Sequence, residues 1–113
     1  MKHVLLLLTV LVSAIPLQAT VWQVGVSRQY TMPSQVSSLV KNNDTVEIDA
    51  GTYHEDVAHW TANNLLLQGV GGMAYLKSNG KSFGQKAIWV IGGANTRVAF
   101  IEFAECIRKV RLF

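Results

Sequence analysis

A single cysteine, Cys106, stands in the 113 residues. No internal disulfide can staple this chain, and in an exported protein an odd thiol is free or waits for a partner. No apolar run approaches the roughly 20 residues that a membrane-spanning helix needs; the longest, Val4 to Val12, is already interrupted by Thr9. The Asn-Gly and Asp-Gly steps that close antiparallel hairpins are nearly missing, Asn79-Gly80 being the only one. A basic cluster on the body of the chain is missing too. The formal charge is +3, yet between Thr20 and Ile107 the six cations (Arg28, Lys41, Lys77, Lys81, Lys86, Arg97) are outnumbered by seven acids. The excess comes from Lys2 and from Arg108, Lys109 and Arg111 at the end. A nucleic-acid partner requires cations gathered on a folded face, so none is expected.

What is present begins with a leader. Lys2 and His3 form a short positive start, Val4 to Val12 an apolar block, and Ser13 to Ala19 a small, turn-breaking exit. That is the layout of a secretory signal peptide over residues 1–19, removed after Ala19. The expected location is secreted, periplasmic or cell surface, with no stable membrane span once the leader is gone.

The remaining chain repeats one unit, a turn residue, a short apolar run and a glycine corner. Asn43 to Gly51, Asn63 to Gly72 and Lys86 to Gly93 carry it, and Asn95 to Phe103 repeats the turn residue and the apolar run without the glycine. Runs this short, bounded by asparagine and glycine, read as buried strands rather than helices. Thr20 to Val26 reads as a first strand. Pro33-Ser34 then opens a short helix to Lys41, whose Val36, Leu39 and Val40 fall on one face. Asp49-Ala50-Gly51 is expected to turn the chain, with Val57 to Trp60 and Met73 to Leu76 as further short strands. The spacing of Val46, Leu65 and Ile88 lies in the range of solenoid repeats. Parallel stacking predicts that Asn43, Asn64 and Asn95 share one corner, with their amides bonding along the stack. It also predicts that the helix covers the first strand edge, because an uncovered edge templates pairing with another chain.

Ser38 to Tyr53, a helix running into an apolar strand that ends on Gly-Thr-Tyr, resembles the N-terminal pattern of the right-handed parallel β-helix proteins of the pectin-lyase-like superfamily. Asn64 to Gly72 is similar to that family's next element, and Ala87 to Ile91 with Asn95 to Phe103 to the following coil. The resemblance spans residues 20–106 and implies an all-β right-handed parallel β-helix with a short capping helix. It implies a polysaccharide as the possible partner. Many relatives are lyases, hydrolases or epimerases, and others only bind glycans. None of the family's catalytic motifs matches, so no catalytic, cofactor-binding or metal residue is carried over, and no cofactor is expected. The expected function is that of an exported structural or glycan-associated repeat protein without a complete active site. The alternative is the N-terminal part of a polysaccharide lyase or glycoside hydrolase whose catalytic coils are missing. Residues 107–113 break the pattern into a basic and apolar tail, read as the mark of a truncated or frame-shifted frame, with a membrane-seeking tail as competitor.

Four constellations remain. His54, Glu55, Asp56 and His59 crowd two imidazoles and two carboxylates together, but the histidines fall on opposite faces of a strand, so a solvated turn is expected. Glu47 and Asp49 share strand parity and therefore one outer face, where plain solvated charges are expected, although acids joined across the stack would serve a glycosidase or calcium. Gly69-Val70-Gly71-Gly72 follows a strand like a phosphate loop but lacks its lysine and its helix, which leaves a tight corner. Among Trp22, Trp60, Trp89, Tyr30, Tyr53 and Tyr75, Trp89 is expected in the core and Trp60 is the candidate for stacking on a sugar. Asn43-Asp44-Thr45 is also a glycosylation sequon.

Overall fold

The computed structural model describes residues 19–79 and 88–104. Residues 1–18 of the leader, Cys106 and the 107–113 tail lie outside the described residues. The described chain is a parallel β-solenoid of about three turns. Its main sheet holds β1 (Val21–Val24), β2 (Thr45–His54), β4 (Leu66–Lys77) and the two halves of the last turn, β6 (Arg97–Ala99) and β7 (Ile101–Ala104), each parallel to the strand before it. A second sheet pairs β3 (Ala58–Trp60) with β5 (Trp89–Ile91).

Strand parity decides which side chains enter the core. Along β2, Val46 and Ile48 point in and are fully buried, while Thr45, Glu47 and Asp49 point out. Leu67 sits directly on Val46 and is as deeply buried, with Leu65 beside it. Each such aliphatic side chain contributes about 1.5–3 kcal/mol of burial. Parallel sheets usually cover both faces. Here the core is the lumen and the outer face is half polar, so the strands alternate as an antiparallel sheet would.

The corner asparagines fall where the repeat places them. Asn43, Asn64 and Asn95 all take positive φ, 76°, 59° and 58°, a conformation asparagine reaches more cheaply than other side chains. The ladder itself is made one residue earlier. Asn42 Oδ1 accepts the Asn63 N–H and Asn63 Oδ1 accepts the Ala94 N–H, each at 2.8 Å. These bonds span 21 and then 31 residues, so the second full turn is the longer. The expected alignment of Val46, Leu65 and Ile88 is thereby corrected. Val46 pairs with Leu67 and Leu67 with Val98, whereas Ile88 precedes β5 in the second sheet.

Two further expectations change. Asp49-Ala50-Gly51 does not end a strand, nor does Met73 begin one. β2 and β4 run through both places, and a register shift between Asp49 and Gly51 takes up the extra residues of β4 as a bulge. Gly71 and Gly72, at φ 79° and 142°, allow it. The helix is shorter than its apolar spacing implies. α1 (Ser34–Ser37) packs against β3, taking in the first turn the place that β3 and β5 hold above it. Val36 and Val40 are buried, but Leu39 is 41% exposed, and α1 closes the second sheet rather than the edge of β1.

Candidate functional site

The most organised polar surface is the outer face of the main sheet. Outward parity stacks Gln23, Glu47, Gln68 and Ala99 in one row, a strand apart, with Asp49 and Val70 beside it. After β1 the chain turns back on itself, the Arg28 N–H donating to the Gly25 carbonyl and the Gly25 N–H to the Tyr30 carbonyl. That turn carries Arg28 over the face. Its Nε and Nη2 donate to the two Asp49 carboxylate oxygens at 2.9 and 3.0 Å, and its Nη1 donates to Gln23 Oε1 at 3.1 Å. Gln23 in turn donates to Glu47 at 3.5 Å. Gly25 leaves room for this clamp, because a Cβ at that position would crowd the Asp49 carboxylate and force it to shift.

The electrostatics follow from this bidentate clamp. Arg28 holds the Asp49 carboxyl below the usual range against the opposing pull of burial, and Asp49 raises the guanidinium in return. Asp49 is therefore a fixed anion. Next to it, Tyr53 donates its hydroxyl to the Asp49 carbonyl at 2.6 Å, and burial, aided by the Asp49 charge, pushes the phenol up. A groove of about 330 Å³ opens between the turn and the bulge, lined by Val26, Thr31, Met32, Asp49, Thr52 and Tyr53 among others.

Glu47 and Asp49 do share the outer face. They are joined across the stack by Gln23 and Arg28 rather than by other acids, which ties both carboxylates into one hydrogen-bonded network. Arg28 was not singled out from the sequence; the signal was a lone cation three residues after a glycine that ends a strand.

Trp60 is fully buried, its ring set edge-on to Trp89 at 5.0 Å, and cannot stack on a sugar. Flanked by His59 and Thr61 it looked exposed, but inward parity on β3 decides otherwise. Trp89 is in the core as expected. Among the described residues neither indole N–H has a hydrogen-bond partner. Tyr53 is also buried, Tyr30 packs on Trp22 at 5.9 Å, and Tyr75 remains 39% exposed.

His54 is exposed at the end of β2 and His59 half-buried in β3. Among the described residues no group of three His, Cys, Asp or Glu could hold a metal. Asp56 is not merely solvated. It accepts the Ser34 N–H at 2.9 Å and the Ser34 hydroxyl at 2.5 Å, fastening the start of α1, and burial raises its carboxyl despite those bonds. The Gly69 to Gly72 segment belongs to the β4 bulge, where Gly69 packs on the Phe100 carbonyl.

Asp44, noticed in the sequence only as the middle of a sequon, is the buried hub of a corner. Its carboxylate accepts the Thr20 and Lys41 N–H groups at 2.8 Å and the Trp22 indole N–H at 2.9 Å. Burial alone would raise this carboxyl, but the three donors outweigh it and the group is held low.

Among the described residues no helix is long and apolar enough to cross a membrane. Comparison with family models, curated proteins and solved structures finds no match to this chain in any of the three.

Proposed function

We propose that this chain is an exported structural or glycan-associated β-solenoid, the N-terminal cap and first coils of a right-handed β-helix of the pectin-lyase-like kind, without a complete active site of its own. The observation that carries this reading is the clamped outer face. Arg28 engages Asp49 through two hydrogen bonds and Gln23 through a third, while Gln23 reaches Glu47. A carboxylate locked as an anion is a poor proton donor for glycosidic cleavage, whereas fixed amides and charges a strand apart suit the hydroxyls of an extended polysaccharide. Gel retardation in polygalacturonate and in a neutral glucan tests it. Retardation that is weakened several-fold by Gln68→Ala and by Arg28→Ala supports the reading, and unretarded migration in both gels removes the glycan part of it.

One observation favours a second reading, the N-terminal part of a polysaccharide lyase or glycoside hydrolase whose catalytic coils lie outside this sequence. Ile91, in the last strand of the second sheet, and Val98 and Phe103, in the last turn, occupy inward positions and are 39%, 42% and 43% exposed, as they would be beneath a further coil. Genomic sequence beyond Phe113 that continues the Asn-apolar-Gly unit in any frame would support it.

A further inference from the structure

The exposed large apolar side chains of the solenoid gather at its two ends. Val21, Val26 and Leu39 lie in the first turn, Val98, Phe100 and Phe103 in the last turn and Ile91 in the last strand of the second sheet, with Met73 and Tyr75 the others among the described residues. The two ends also match in hydrogen bonding. At every internal step the lower strand presents its inward-parity residues and the upper strand its outward-parity residues. Thr45 N–H donates to the Thr20 carbonyl, Leu66 N–H to Asp44, and Arg97 N–H to Leu65. By the same alternation the backbone groups of Val98 face away from β4, and those of Val21 and Gln23 away from β2, and no strand among the described residues pairs with either edge. The Gly25 bond to Tyr30 closes only the far end of the β1 edge. Along the open part runs a groove of about 330 Å³ lined by Val21, Trp22, Gln23, Arg28, Gln29 and Tyr30.

We infer that these ends join, so that a second copy of this chain seats its β1 on the β6 of the first and copies stack head to tail. The inference rests on the structural reading above and adds the partner. Continuing the internal register sets Trp22 of the upper copy over Val98, and Gln23 over Ala99. It also sets the α1 region, with exposed Leu39, over β5 and its exposed Ile91. An edge that presents inward-parity groups meets in parallel only one that presents outward-parity groups, so two last turns do not make this contact. The contact is heterologous and does not close on itself, which makes the product a chain of copies rather than a dimer.

The test uses the exported, leader-free chain in sedimentation velocity, with circular dichroism as the check on folding. Species that grow with concentration past the dimer are expected. Val21→Pro removes an N–H from the free edge of β1 without touching its bonds to β2, and Val98→Lys places a charge at an inward position of the free edge of β6. Each variant alone should be monomeric, and an equimolar mixture should recover a single pair and stop there. A folded wild-type monomer at all concentrations overturns the inference while leaving the solenoid reading intact. Val21→Pro dimerising by itself overturns it in favour of a two-fold contact, and an unfolded wild type removes both readings. Should either variant fail to fold, Gln23→Cys with Ala99→Cys in a Cys106→Ser background supplies a second measurement. The register sets these cysteines side by side between copies, and oxidation should give a covalent ladder; monomer only would overturn the register.

Discussion

The middle and the last turn of this solenoid hold the same kinds of residue at the same positions and differ in what lies above them. Val46 and Leu67 are fully buried, while Val98, next in that column, is 42% exposed. Tyr53 and Leu76 are 7% and 0% exposed, while Phe103 above them is 43%. A side chain in a stack is therefore buried by its neighbouring turn as much as by its own, which makes stability a sum of nearest-neighbour contacts. Among the described residues the last turn has a neighbour only below it.

Substitution in the same column should break the comparison most sharply. Leu67→Ala should cost about 2–5 kcal/mol, enough to unfold a stack of this size, whereas Val98→Ala should cost under about 1 kcal/mol; equal melting losses for the two would mean that the last turn is covered in solution. Asp44→Ala comes next. It strands two backbone N–H groups and the Trp22 indole, and should lower stability by about 1–3 kcal/mol, read as a fall in melting temperature with the β spectrum retained.

Acid titration follows from the same corner. Asp44 and Asp49 are both held low when folded, so their stabilisation is present above the ordinary carboxylate range and is lost as pH falls through their folded values. Asp56 is raised and acts in the opposite sense, its contribution being present at low pH and lost as pH rises through its folded value. Melting temperature should fall below about pH 4, and Asp44→Asn should flatten that fall; an unchanged acid limb would remove Asp44 from this role.

The asparagine ladder is a smaller lever. Asn63→Ala loses one buttressing bond to Ala94 and should cost about 1 kcal/mol, while Asn95→Ala, at the end of the corner column, loses only the asparagine preference for positive φ. Smallest of all, and of opposite sign, is Phe100→Gly. Phe100 holds φ 59° at 65% exposure, beside a bulge where the preceding turn uses Gly71 and Gly72. Relief of the left-handed strain less glycine's entropic cost should stabilise by roughly 0.5–1 kcal/mol, and a lowered melting temperature would show that the ring has contacts worth more than the strain.

The parity of Val46, Glu47, Ile48 and Asp49, the corners at Asn43, Asn64 and Asn95, and the place of Trp89 were all legible in the chain. Each depends on local backbone preference or on a period of two, which neighbouring residues determine by themselves. The Arg28 clamp was not legible, because Arg28 and Asp49 meet only when β1 lies on β2 and the turn at Gly25 folds back over them. The same holds for Asp44, whose donors come from Thr20, Trp22 and Lys41, and for Asp56, which reaches back to Ser34.

The sequence by itself thus determined a strand-and-corner repeat with an apolar inside, since alternation and turn chemistry are short-range. Tertiary structure alone decided the register, 21 residues for one turn and 31 for the next, because loops of different length cost nearly the same to close and only packing of one turn on another selects the fit. It also decided that Trp60 is core, that α1 closes one sheet and not the other, and that Val98 and Phe103 keep part of their surface exposed, since burial in a stack depends on the neighbouring turn.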